Sequence, residues 1–223
     1  MPSEHNINNS EPPKTVQMRL LDAAENLFAQ KGFDQTSIRE LAAAANCNIA
    51  SVNYYFGSKD NLYIQVWRWH MNQMVDARLA GIAKAVAENQ GNPKLENLLR
   101  AFSYAFIEPL LDQPRANNLL KLMIRETQEQ HLPANMFMDE VVSPTLTAMR
   151  SALLKTCPRL DSSMAVPIVF SLIGQLIQAV HIKAIFERVQ NPDWPVYDLT
   201  QLVDHIVHFT AAGIRAYERE ADE

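Results

Sequence analysis

The stretch TSIRELAAAANCNIASVNYYFGSKDNL, Thr36 to Leu62, decides the fold of this chain. Thr36 or Ser37 can cap a helix, with Glu40 placed to return the bond and Ile38, Leu41, Ala42 and Ala45 as its apolar face. Asn46 tolerates the left-handed backbone that a sharp turn needs, and Asn48 can cap the next helix. The spacing predicts a short helix over 49–56, stopped by Gly57, after which Ser58 caps a longer helix reaching about Leu79. Along that fourth helix Leu62, Val66, Trp69 and Gln73 trace one face.

Two helices joined by so short a turn form a helix-turn-helix, whose second helix enters the DNA major groove. On the short helix Val52, Tyr55 and Phe56 include the positions able to pack back on the two helices before it. Ile49, Ala50, Ser51, Asn53 and Tyr54 fall toward the groove. Hydroxyls of Tyr and Ser suit phosphate oxygens, an Asn amide pairs with adenine, and Ala or Ile meets a thymine methyl. Lys59, at a helix start that favours anions, and Arg39 are the natural phosphate or base partners.

Working outward, Val16, Leu20, Ala23, Ala24, Leu27 and Phe28 recur at helical spacing before Gly32, giving a first helix. Residues 1–14 are polar, carry Pro12-Pro13 and are expected to form a tail. Beyond Gly91-Asn92-Pro93, helical patterns run over 94–111, 115–130, 134–156, 161–189 and 197–219, punctuated by Pro114, Pro133, Pro158 and Asn191-Pro192. Pro144 should kink or reset its helix. No strand alternation is evident, so the expected fold is all-α, with about nine helices. The expected division is a tail (1–14), a helix-turn-helix domain (15–62) and a helical effector-binding and dimerisation domain (63–223).

The chain has 223 residues, 48% hydrophobic and 20% charged, enough to bury a sizeable core. A net charge of -5 opposes indiscriminate nucleic-acid binding. Residues 1–70 hold six Lys/Arg against seven Asp/Glu, so a DNA-facing surface must be a local patch. No signal peptide or uninterrupted apolar segment of spanning length is read, which implies a cytoplasmic chain without a membrane partner. Cys47 and Cys157 lack CxxC spacing, and His181, His205 and His208 have no thiol or carboxylate at clear ligand spacing, so neither metal nor cofactor is expected. With no P-loop, GxSxG or HExxH motif and no base beside Cys157, no catalytic residue is assigned and enzyme chemistry is not indicated.

The motifs LFAQKGF, TSIRELAAAA and YYFGSKDNL, with their mutual spacing, resemble the DNA-binding domain of TetR-family transcriptional regulators. The resemblance implies that Thr36, Ser37, Arg39, Ala50, Ser51, Asn53, Tyr54, Tyr55 and Lys59 lie at or beside DNA-contacting positions. Asn46-Cys47 stands where the family usually has Gly-Val, and Ile49 where a Lys is frequent. More loosely, LMIRETQEQ and VVSPTLTAMRSAL resemble the CecR-like branch, which implies repression relieved by a small molecule, often in efflux or stress.

In the second block Phe102, Phe106, Met123, Phe137 and Phe170 form apolar stripes that are either core or the wall of a ligand cavity. Arg125, Glu126 and Gln175 are the candidate polar groups, although Arg125 can equally pair with Glu129. Helices 161–189 and 197–219 are apolar enough to meet a second copy. The expected function is a homodimeric regulator, most simply a repressor, released from a palindromic double-stranded operator by a mainly apolar effector. The alternative is a helical ligand-binding or protein-interaction module without specific DNA binding.

Overall fold

A computed structural model describes residues 15–88, 93–110, 115–188 and 198–220. The expected tail and the breaks at Gly91-Asn92 and Asn191-Pro192 lie outside these residues. Nine α-helices and no strand occur among the described residues: α1 Val16–Lys31, α2 Ile38–Ala44, α3 Ile49–Phe56, α4 Lys59–Ala87, α5 Leu95–Ile107, α6 Arg115–Glu129, α7 Ser143–Thr156, α8 Ala165–Arg188 and α9 Leu199–Glu220. Two compact units emerge, one of Met1–Trp67 with Lys121–His131, the other of Arg68–Leu120 with Leu132–Glu223. Two of the three boundaries fall inside helices, α4 and α6, and the third follows α6.

In the first unit each helix end is set by a local device. Thr15 accepts from the Met18 amide to start α1, and Gly32, at φ 87°, ends it. Ser37 forms a complete capping box with Glu40 at the start of α2. Asn46 adopts φ 49°, Asn48 Oδ1 accepts from the Ala50 amide at 3.0 Å, and Gly57 closes α3 at φ 77°. These helices bury Leu20, Ala24, Phe28, Leu41 and Val52, with Phe28 edge-on to Tyr63 of α4 at 5.1 Å. Arg19 fastens α1 to the turn by donating to the Ala45 carbonyl at 3.0 Å.

Helix α4 runs eight residues past Leu79, because no proline intervenes and Gly81 is used for packing. A Cβ at Gly81 would lie 3.2 Å from both the Ala101 carbonyl oxygen and Ala105 Cβ, so α4 and α5 cross there closely. The buried stripe of α4 also differs from the expected face: Tyr63, Trp67, His70, Met71, Met74 and Arg78 are buried, whereas Gln73 is exposed and Trp69 half-buried. The stripe follows four-residue steps along Leu62, Val66, His70, Met74, Arg78 and along Tyr63, Trp67, Met71, Val75, so Trp69 and Gln73, reached by a three-residue step from Val66, fall outside it.

The second unit packs α5 against α7, α8 and α9 around Leu98, Leu99, Phe102, Met149, Leu153, Val169, Leu172 and Val203. Arg100 pairs with Asp204 at 2.9 Å and Arg215 with Glu96, tying α5 to α9. Pro144 sits in the first turn of α7, directly after a π-helical stretch Met138–Val142. Proline cannot supply the amide that a continuous α-helix requires, so the helix is reset there. Helix α8 begins at Ala165 rather than 161, because Asp161 turns the chain by accepting from the Ser163 amide. Contrary to the sequence reading, Ala165–Lys183 is long and apolar enough to cross a membrane by length and composition, with mean hydropathy 1.8. Val169, Leu172 and Leu176 of that segment are core of this unit, while Phe170 and Ile177 are exposed.

Candidate nucleic-acid interface

Helix α3 packs through Val52 and Phe56, at 0% and 7% exposure, one turn apart on its inner side. At 100° per residue the opposite side is centred on Tyr54, with Ala50 and Ser51 beside it and Asn53 at its edge, while Ile49 falls toward the packed side and is exposed as the first residue of the helix. Tyr54 is 83% exposed, and its ring meets Tyr55 edge-on at 5.0 Å. Tyr55 itself is 41% exposed and so belongs to the outer edge rather than the packed side.

The flanking residues divide. Ser37 is exposed, its backbone and hydroxyl both bound to Glu40. Thr36 is 1% exposed and donates to the Gly32 carbonyl at 2.7 Å, so its hydroxyl faces the protein. Lys59 Nζ donates to the carbonyls of Phe33 and Thr36 at 3.0 and 3.1 Å and lies 4.0 Å over the Phe33 ring. Its charge therefore pins the loop after α1. Lys31 is bound to Glu40 at 2.6 Å, which holds the Glu40 carboxyl near a pKa of about 2, aided by the Ser37 amide and hydroxyl. Arg39 is exposed and makes no ion pair among the described residues.

The effector candidates are divided between the two units. Phe102 and Phe106 are core residues of the second unit, their rings 6.0 Å apart. Phe137 and Phe170 are 39% and 51% exposed. Gln175 lines a groove between α8 and α9 with Met164, Pro167, Phe209, Gly213 and Tyr217, and donates to the Ser171 carbonyl. Arg125, Glu126 and Met123 belong to the first unit. There Arg125 donates to the Gln30 carbonyl at 2.9 Å and pairs with Glu129, while Glu126 accepts from the Tyr63 hydroxyl at 2.8 Å. Burial and that carboxylate together push the Tyr63 phenol up. Both polar groups are thus engaged in joining α6 to α1 and α4.

Residues 20–66 match the description "Bacterial regulatory proteins, tetR family", and residues 95–214, more than half the chain, match the C-terminal domain of the HTH-type transcriptional dual regulator CecR. The chain belongs to the TetR family. CecR of Shigella flexneri is 30% identical over 131 residues, covering 56% of this chain and 57% of that protein. The probable regulator YttP of Bacillus subtilis is 28% identical over 108 residues, 48% of each chain. The chain spans about half the length of these curated relatives. FadR of Bacillus subtilis, solved in complex with stearoyl-CoA, shares the fold at a TM-score of 0.62 with 18% identity, covering 88% of this chain and 98% of that one.

Within this TetR-family chain, two arginines were missed by sequence reasoning. Arg19 holds the turn between α2 and α3, which no spacing rule announces. Arg78 is 7% exposed; the signal that could have found it is its place on the stripe Met71, Met74, Val75, Arg78, Ile82.

Proposed function

We propose that the chain is a homodimeric transcriptional regulator, in the first instance a repressor, that reads a roughly palindromic operator through α3. The observation that carries this reading is the outward face of α3, where Ala50, Asn53 and Tyr54 stand exposed on a helix whose other side is packed. An eight-residue helix specifies a site only weakly, whereas two related by a two-fold axis read two half-sites about one helical turn apart. Arg39 would supply phosphate affinity, with Ser37, Ser51 and Tyr55 contributing hydroxyls at the margin. Lys59 and Thr36 act through the fold, by fixing the loop from which α2 starts.

The dimer would form through α8 and α9, whose Phe170, Ile177, Phe209 and Tyr217 are exposed. The second unit would bind a small effector beside Phe102 and Phe106, and release from DNA would follow through α4 and α6, each shared by both units. The acyl-CoA bound by FadR supports an effector with a large apolar part. A regulator of this kind would act in the cytoplasm.

The test is operator binding by footprinting upstream of the protein's own gene, followed by gel shift with Tyr54→Ala and Arg39→Ala. Both should keep native helicity, with Tyr54→Ala losing at least tenfold in affinity. Arg39→Ala should lower the salt slope by about one unit per protomer. Unchanged affinity in the folded double variant would leave only the reading as a ligand-binding module without specific DNA recognition.

A further inference from the structure

We propose that Arg78, on the buried side of α4 against Phe106 and Met74, binds the acidic head, carboxylate or phosphate, of an otherwise apolar small molecule. This inference rests on the reading that the second unit takes an effector, and narrows its chemistry from apolar to amphipathic and anionic.

Arg78 is 7% exposed and its guanidinium carbon lies 4.1 Å over the face of the Phe106 ring. Its Nη2 meets only the Met74 sulfur, at 4.0 Å, and a thioether is a weak acceptor. Its Nε is buried without any hydrogen-bond partner. No carboxylate lies within ion-pair distance of it among the described residues. Desolvation lowers its pKa to about 10, which still leaves the group charged at neutral pH. A cation of this kind has lost most of its water and gained no counter-charge among the described residues, and a ring face offsets only part of that loss.

Three more exposed arginines of the unit make the contrast. Arg68 pairs with Glu140, Arg100 with Asp204 and Arg215 with Glu96, their side chains 44%, 36% and 53% exposed. The arginines that need a partner least have one, and the arginine that needs it most has none. An incoming anion supplies it, since the planar fork of a guanidinium takes a carboxylate or phosphate through two parallel bonds. The neighbours suit an apolar body: Met74, Phe106, and Phe102 beyond it. A group retained for binding rather than stability also explains why α4 keeps a charge in a stripe of Met71, Met74, Val75 and Ile82.

The experiment uses the full chain with decanoate, decyl phosphate, decanol and decylamine below their micellar concentrations, read by thermal unfolding and calorimetry. The native protein should be stabilised by decanoate or decyl phosphate well beyond decanol, and not by decylamine. Arg78→Met, which keeps the apolar volume, should bind the anions at least tenfold more weakly and decanol equally well. Without ligand it should melt no lower than native. Arg78→Lys keeps the charge without the fork and should fall between. Should Arg78→Met melt several degrees lower than native while decanoate and decanol stabilise the native protein alike, Arg78 is a structural residue and the anion site is wrong, though the effector reading survives. No stabilisation of the native protein by any of the four overturns both. The decanoate-to-decanol comparison on the native protein stands even if a variant fails to fold.

Discussion

Lys59 shows how much a single side chain's partners decide. As a bare cation at a helix start it invites a phosphate, yet its ammonium is bonded to two loop carbonyls and the Phe33 ring. Hydrogen bonds to a charged group contribute about 1.5–3 kcal/mol each when well formed, and partial exposure reduces that. Lys59→Ala should therefore destabilise the chain by about 1–2 kcal/mol in urea unfolding, with any loss of operator affinity following from a loosened loop. A variant as stable as native with a reduced salt slope would return Lys59 to the phosphate. Glu40 gives a pH signature. Its carboxyl is held near a pKa of about 2 against an ordinary 4.5, first by Lys31 and then by Ser37. The depressed pKa means that its contribution is fully present above about pH 4.5 and is lost as pH falls through about 2. The difference in unfolding midpoint between native and Glu40→Gln should close across that window, and the Glu40 carboxyl should titrate near 2 by NMR. A midpoint near 4.5 would show that the capping box is open in solution.

At the scale of elements, α1, α2, α3 and α4 are separated by turns that each hold one residue with positive φ, Gly32, Asn46 and Gly57, and each one aims the next helix. Gly32 carries two constraints at once. Its φ of 87° disfavours any Cβ, and a Cβ there would fall 2.9 Å from both Arg125 Nη1 and Glu129 Oε1. Gly32→Ala should cost about 1–3 kcal/mol, from backbone strain and from moving the ion pair. Gly57→Ala meets only the Asn61 amide, at 3.6 Å, and should cost less. Equal losses at the two sites would show that packing against Arg125 contributes nothing. Spacing alone gave α3 its bounds, Ile49 to Phe56, because caps and stops act within four residues. It stopped α4 too early, since Gly81 reads as a weak helix former until the close approach of Ala101 and Ala105 is seen.

At the scale of the molecule, Phe170, Ile177, Phe209 and Tyr217 on α8 and α9 are exposed, and Phe209 and Tyr217 line a groove with Pro167, Ile168, Gly213 and Ile214. An apolar surface of this kind marks an interaction site, and on the proposed reading a second copy covers it and brings the second recognition helix. The native protein should sediment as a dimer at micromolar concentration. Phe209→Glu, placing an unpaired charge at 64% exposed Phe209, should shift it to monomer with helicity intact and operator affinity down at least a hundredfold. A native monomer at that concentration would refute the interface. What the sequence determined by itself is therefore local: the all-α class, the helix-turn-helix, its caps and stops, and the outward side of α3. Each follows from dihedral preference or from bonds between residues no more than four apart. The tertiary structure alone decided what the charged and hydroxylic side chains do. Lys59 meets a carbonyl 26 residues away, and Arg125 reaches carbonyls 95 and 96 residues away, where sequence pattern offered a pocket group. The stripe of Met71, Met74, Val75 and Ile82 hints at the burial of Arg78, but only the fold shows that it has no counter-charge among the described residues. Long side chains take partners from whatever the fold brings near, and no periodicity in the chain records that choice.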